Sequence, residues 1–489
     1  MSRIVLIAFA GLSIWFIGCE PTSADDDRSS LPDEPLPDKL EVDYEPVTAD
    51  ELRPLLADYD VEPLDPVPDL SEERVALGQA LFFDPILSGN LDTSCATCHN
   101  PCAMGGDDRS LSVGTGFVAT DDLRLPGEDR IFVARHATEL FNRGDHRWET
   151  MFWDARLSED EGGFFVERIP HRTSSGMVGP ELRFPDGLDN LLAAQAMFPV
   201  TSRHEMRGRP GDVDIFGEPN ELAPVPDMDR RSMWRILIDR LLAIPEYREL
   251  FAAAYPDEDL EELQYVHAAN ALADFQTAAF TLLDSPFDRF LAGEDEALSE
   301  AAIQGAALFY GEAGCARCHS GALMTDQQAH NIGVPQLGPG REPGQPFDEG
   351  VYLRSHGEAT QRFAFRTPPL RNVTLTGPWM HNGAYTDLES AVRHHLDPVA
   401  SLNNYDETQL EPALRDQVRN DEETRQTVLE YLSPKVEEPM ELSDREFDDL
   451  MAFLYSLTSP STPGLADLFP DEVPSGLDVE ECTPSLFLP

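Results

Sequence analysis

The chain has 489 residues, a formal net charge of −54 and 41% hydrophobic residues. So acidic a surface excludes a nucleic-acid partner, because phosphate binding needs basic groups, and it favours basic partners instead. The length offers material for two to four domains, and the apolar share is enough for sizeable cores.

Arg3 precedes an apolar run from Ile4 to Gly18. The run is too short to cross a membrane as a helix and reads as an export signal. It ends Phe16-Ile17-Gly18-Cys19, similar to a bacterial lipobox with Phe in the usual Leu position. On that reading residues 1–19 are a lipoprotein-type signal with Cys19 lipidated. The mature protein is then periplasmic and anchored to the outer membrane. The alternative is ordinary cleavage near Ser23-Ala24, leaving a soluble periplasmic protein. Residues 20–48 are rich in Asp, Glu, Pro and Ser and read as an acidic linker that buries too little apolar surface to order itself.

Of the seven cysteines, four fall in Cys95-Ala96-Thr97-Cys98-His99 and Cys315-Ala316-Arg317-Cys318-His319. C-x-x-C-H is the attachment pattern for c-type haem. The two thiols add across the haem vinyl groups, and the adjacent His becomes an axial iron ligand. Two covalent haems c are therefore expected, on Cys95, Cys98 and His99 and on Cys315, Cys318 and His319. The competing readings are a redox dithiol, or a zinc ion shared by both C-x-x-C pairs; zinc has no need of a His after each pair. Cys102 and Cys482 remain. In an oxidising compartment leftover cysteines often pair, and a Cys102–Cys482 bridge would pin the tail beside the first motif. Two free thiols are the alternative.

Around each motif the chain repeats itself. Leu77-Gly78-Gln79-Ala80-Leu81-Phe82 precedes the first and Gln304-Gly305-Ala306-Ala307-Leu308-Phe309 the second. Each stretch has helical apolar spacing and follows a helix-start serine, Ser71 or Ser299. A helix followed by haem attachment, used twice, indicates a duplication rather than a solenoid. Further helical stretches run from Ser232 to Tyr255 and from Leu263 to Leu283, while strand-like alternation is scarce. The expected fold class is mainly α, with two cytochrome-c-like haem domains and long irregular loops. The N-terminal domain spans 49–290, the C-terminal domain 291–460 and a tail 461–489.

The motifs together resemble the bacterial dihaem cytochrome c peroxidases and their MauG-type relatives. The resemblance rests on Met151-Phe152-Trp153-Asp154-Ala155-Arg156, on Gln195 through Pro199 to Glu205-Met206, and on His330-Asn331-Ile332-Gly333-Val334. It continues through Phe365-Arg366-Thr367-Pro368-Pro369-Leu370-Arg371-Asn372 to Trp379-Met380-His381-Asn382-Gly383. It implies that the N-terminal haem reacts with hydrogen peroxide and the C-terminal haem transfers electrons. Trp153 would bridge the two haems electronically. Glu205 would shuttle a proton between the peroxide oxygens, and Gln195 would hold the peroxide. Read without the resemblance, Trp153 is a core aromatic and Glu205 a surface charge.

The chain departs from the family in four places. An insertion of about Leu157 to Leu188, with His171 in it, reads as a surface loop near the pocket. The loop Gly105–Ala134 holds no histidine where many family peroxidases supply a resting haem ligand, so the N-terminal haem is expected to be five-coordinate or water-bound. The C-terminal haem's distal position carries His395, where the family has Met or Tyr, and bis-His ligation by His319 and His395 would lower its potential. His394 would point elsewhere. Thr376 and Pro378 match positions that supply calcium ligands in the family, but the partner asparagine is replaced by His136. Imidazole is a poor ligand for a hard cation, so calcium would rest on carbonyls and water.

Three functions follow. The first is reduction of peroxide to water, with electrons from a small redox protein (a cytochrome c or cupredoxin). The second is MauG-like oxidation of residues on a partner protein, toward which His395 moves the balance. The third is a dihaem electron carrier, which would have no use for Glu205 and Gln195. Monomer and homodimer stay equally open.

Overall fold

Two serines start the two repeated helices. The Ser71 hydroxyl accepts from the Arg74 N–H (3.3 Å) and opens helix Glu72–Phe83; the Ser299 hydroxyl accepts from the Ala302 N–H (3.1 Å) and opens helix Glu300–Tyr310. Each satisfies a backbone donor that a helix leaves unpaired at its N-terminus. The repeated glycine explains what these helices do next. A Cβ on Gly78 would stand 1.9 Å from the Ala271 carbonyl oxygen, and one on Gly305 would stand 1.8 Å from that of Asp449. Glycine therefore lets helix Glu72–Phe83 press against helix Tyr265–Phe280, and helix Glu300–Tyr310 against helix Asp444–Ser456. The repeated phenylalanines complete both contacts: Phe82 packs on Phe275 and Phe309 on Phe453, each at 5.1 Å between ring centres.

This is a computed structural model, and it describes residues 46–489 apart from 121–122, 168–171, 174–175, 178–180, 341–344, 353, 355–357, 483–484 and 486–489. Cys19, the acidic linker up to residue 45 and His171 lie outside the described residues. Among the described residues no helix is long and apolar enough to cross a membrane.

Two cores form around the two crossings. The first gathers Leu77, Phe82, Trp234, Leu237, Phe251 and Phe275; the second gathers Phe287, Phe290, Phe309, Tyr310, Leu450 and Phe453. The chain ends cross between them. Leu52 and Leu56 of helix Ala49–Ala57 lie in the second core, where the Gln304 amide both accepts from the Val47 N–H (2.9 Å) and donates to its carbonyl (2.8 Å). Leu465 and Val473 of the tail lie in the first. A linear division near residue 290 thus describes the helices but not the termini, and Val47–Pro489 is one compact unit.

The tail ends on the first haem-attachment motif. Cys102 and Cys482 are disulfide-bonded with their Cα atoms 5.4 Å apart. Glu480 accepts from the Thr97 hydroxyl (2.9 Å), inside the C-x-x-C turn, and the Glu481 carbonyl accepts from the Asn100 amide (2.9 Å).

Two expectations change. The stretch Ser232–Tyr255 is two helices, Arg230–Leu242 and Pro245–Ala254, because Pro245 cannot donate to the ladder and so begins a new helix. The insertion is not wholly irregular. Strands Thr150–Met151, Leu157–Asp160, Gly163–Glu167 and Glu181–Arg183 form one antiparallel sheet, with Gly163 at φ +90° turning the hairpin.

The crossings predict that Gly305→Ala lowers stability by about 1–3 kcal/mol, because the new methyl must push two backbones apart. The exposed control Glu300→Ala should cost less than about 0.5 kcal/mol. Urea unfolding of both variants measures the difference.

Candidate functional site

The first centre is built on the short helix Cys95–Cys98. His99 follows it, and its Nδ1 donates to the Gly105 carbonyl (2.9 Å), leaving Nε2 as a lone-pair donor. Cys95 and Cys98 are not paired with each other, and burial pushes the Cys95 thiol up to about 12 and the Cys98 thiol higher still. All three line a cavity of about 450 Å³. Two unpaired thiols and a directed imidazole on one cavity match the donor set of a c-type haem.

Gln195, Glu205 and Trp153 line the same cavity. Gln195 comes from helix Leu191–Ala196, which Asn190 caps by accepting from the Ala193 N–H (2.8 Å). Glu205 comes from the π-helical turn Arg203–Arg207, a wide turn of the kind frequent at functional sites. The turn is anchored by its backbone: the Glu205 carbonyl accepts from Thr115 N–H (2.8 Å) and the Met206 carbonyl from Gly89 N–H (2.7 Å). Among the further side chains that reach this cavity without having been singled out for it are His136, Arg156, His204 and Arg230. His204 stands next to Glu205 in the chain, which was the one available signal. Arg156 stacks on Phe152 with its guanidinium 3.5 Å from the ring centre. The loop Gly105–Ala134 contributes no histidine, yet two histidines reach the cavity from elsewhere in the chain.

The second centre brings together residues 76 apart in sequence, His319 and His395. The His319 Nδ1 donates to the Met324 carbonyl (3.2 Å) and the His395 Nδ1 to the Ala391 carbonyl (2.8 Å), which makes Nε2 the candidate ligating atom of each ring. The ring centres lie 6.3 Å apart at an interplanar angle of 63°. A metal about 2 Å from each ligating nitrogen, plus about 1.2 Å from nitrogen to ring centre on each side, requires about 6.4 Å. The spacing fits one metal atom between the two imidazoles. His395 is exposed by its accessible surface, yet the groups packed around it lower its basicity. Burial, reinforced by His395, lowers His319 to about 4. Cys315 and Cys318 are unpaired, and burial raises the Cys315 thiol to about 12.

His394 is fully committed elsewhere. Its Nδ1 accepts from the Tyr385 hydroxyl and its Nε2 donates to the Ile332 carbonyl, both at 2.8 Å. The zinc alternative fails on position, since the two C-x-x-C pairs belong to different cores. Among the described residues the single cluster with metal-ligand spacing is Cys318, Asp326 and His330, and Lys435 already donates to Asp326 there (3.0 Å).

Trp153 lines the first cavity and is tied by its backbone to the segment that leads to His319. Its indole N–H donates to the His136 carbonyl (2.9 Å), and its own carbonyl accepts from Arg366 N–H (2.7 Å). Arg366 leads through Thr367 to Pro368, whose carbonyl lies against His319. The side chains near His136 offer little to a hard cation. The His136 Nδ1 is spent on the Arg109 carbonyl (2.8 Å), and the buried acids there, Asp348 and Asp154, are held by Arg135 at 2.6 and 3.1 Å. The Thr376 hydroxyl turns back to the Val373 carbonyl (3.4 Å).

Comparison with known proteins agrees with this geometry. Residues 72–296 match the family model described as di-haem cytochrome c peroxidase. The chain is 30% identical to the methylamine utilization protein MauG of Methylorubrum extorquens, over 79% of each chain. It is 26% identical to the cytochrome c551 peroxidase of Pseudomonas aeruginosa, over 66% of this chain and 71% of that one. Among solved structures it shares the fold of a MauG-like protein associated with microbial copper homeostasis, at TM-score 0.53 and 24% identity, covering 83% of this chain and 95% of that one. It shares it also with the diheme peroxidase BthA of Burkholderia thailandensis, at TM-score 0.51 and 20% identity, covering 84% and 91%. The fold and its two centres define an oxidoreductase of the dihaem type. The chain belongs to the dihaem cytochrome c peroxidase and MauG family.

The buried histidines make stability pH-dependent. Burial lowers His381 and His394 to about 3, so both stay neutral in the folded chain at pH 4–7 while an unfolded histidine protonates near 6.5. The unfolded state then binds more protons, and stability falls as pH drops below 6.5, by up to about 1.4 kcal/mol per pH unit for each group. Urea midpoints between pH 7.5 and 5 should fall, and His394→Asn should reduce the slope.

Proposed function

We propose that the chain reduces hydrogen peroxide to water at the first centre, with electrons from a small redox protein arriving through the second. The observation that carries this is the shared cavity: Glu205 and Gln195 line the same space as Cys95, Cys98 and His99. A haem held by those three residues would supply the iron for peroxide and pass on the electrons. Glu205 takes the proton from one peroxide oxygen and delivers it to the other, so that the O–O bond breaks with water as leaving group. Gln195 donates an amide hydrogen bond that orients the peroxide. The balance is one peroxide, two electrons and two protons giving two waters. The chain acts in the periplasm, tethered through Cys19.

Glu205→Gln should slow the reaction with peroxide by about 100-fold or more while leaving the resting haem spectrum unchanged. Stopped-flow absorbance measures both, and an unchanged rate would remove Glu205 from the chemistry.

A second reading, oxidation of residues on a partner protein as in MauG, is favoured by His395. Two imidazole ligands lower the potential of the second centre relative to His and Met. Stoichiometric peroxide added without donor should then give a spectral change that persists, whereas an ordinary peroxidase responds only after prereduction and a carrier not at all. His395→Met should raise the potential of one haem and leave the other in place in a spectroelectrochemical titration.

A further inference from the structure

Ten large apolar side chains stand out as exposed among the described residues, and seven come from two short segments. Val118, Leu123 and Ile131 lie on and after the hairpin of strands Phe117–Thr120 and Leu123–Pro126; Val213, Ile215, Phe216 and Met228 follow the Glu205 turn. Phe216 is 70% exposed. Scattered exposed apolar residues need no explanation, but a concentration of them marks a contact surface.

The two segments are neighbours. Both are fastened to residues 90–93: the Asn90 carbonyl accepts from Ile215 N–H (3.1 Å), the Asp92 carboxylate from Gly116 N–H (2.8 Å), and the Thr93 hydroxyl from Arg124 (3.3 Å). Arg130 pairs with Asp212 directly across them (2.6 Å). The patch also borders the first cavity, which Thr93, Ile131 and His204 line.

Its charge is one-sided. Residues 118–131 and 213–228 hold eight acids against two arginines, and of the eight Asp227 pairs with Arg203 and Arg207 and Glu221 with Arg240. The two arginines, Arg124 and Arg130, are already paired with Glu480 and Asp212, whereas the exposed Glu128, Asp129 and Glu218 have no ion-pair partner among the described residues. An apolar surface flanked by three exposed, unpaired acids fits the reverse arrangement, an apolar contact flanked by lysines.

We propose that this patch docks a basic redox protein at the mouth of the first cavity, giving that centre an electron-accepting face of its own beside the route through the second. Each docked molecule gives up one electron, so two serve one peroxide. The proposal rests on reading the first centre as the oxidising one.

The test uses the full holoenzyme and, as probe, a reduced basic cytochrome c of the mitochondrial type, alongside its lysine-acetylated form. Binding is followed by titration calorimetry and oxidation by absorbance. Ile215→Ser with Phe216→Ser should weaken binding and raise KM for the probe about 10-fold. Glu128→Gln with Asp129→Asn and Glu218→Gln should flatten the salt dependence, and acetylation should mimic that loss. Peroxide consumption with a small dye reductant should be unchanged in every variant. Unchanged probe binding in both variants overturns the proposal, as does loss of binding to phosphatidylcholine vesicles in the Ser variant with KM intact, which would assign the face to lipid. Failure of the wild type to consume peroxide with the dye overturns the underlying reading instead, while calorimetry still decides the docking.

Discussion

Both centres hang from a backbone contact that only glycine permits. Gly78 and Gly305 let two pairs of helices approach until a carbonyl lies where a side chain would begin. Each crossing orients the helix that leads into a C-x-x-C-H turn, and each places a phenylalanine from that helix on the partner helix. In close-packed interiors a methyl group is enough to displace neighbouring elements. The position of each attachment motif relative to its core is therefore set several residues upstream of the motif itself.

The two centres share this scaffold but differ in what surrounds them. At the first, His99 faces a cavity whose lining includes the Glu205 carboxylate, the Gln195 amide, two further imidazoles and several arginines. At the second, His319 faces His395 at a distance that one metal atom fills. A cavity with a carboxylate and an amide in its lining suits a small reactant, and a pair of facing imidazoles suits electron transfer. Trp153 lines the first cavity, its indole held by the His136 carbonyl and its backbone by the chain that runs to His319.

Buried charge holds the space between the centres. Arg135 binds Asp348 and Asp154 together, all three with little or no exposure. Removing one member of such a set strands the others without water, which is why these sites tolerate little change. Within the same set the acids are neutralised by a fixed guanidinium, and the imidazole of His136 offers no oxygen to a hard cation.

The haem attachment, the duplication and the helix starts were legible because each is written in consecutive residues: C-x-x-C-H, G-x-A-L-F, and Ser71 or Ser299 ahead of an apolar period. His395 was legible only through a resemblance, and the resemblance could not say that its ring would stand opposite His319. The break at Pro245 and the sheet in the insertion were misread because local composition was weighed above proline's missing donor and the Gly163 turn. The exchange of chain ends between cores and the arrival of His136 at the cavity had no local signal at all, and the Cys102–Cys482 bond was open to the sequence only as one of two alternatives. By itself the sequence determined which groups can bond to a haem, since that chemistry is encoded in a pentapeptide. Only the tertiary structure decided what faces each haem, because that depends on contacts between residues dozens to hundreds of positions apart, whose placement follows from how the helices pack.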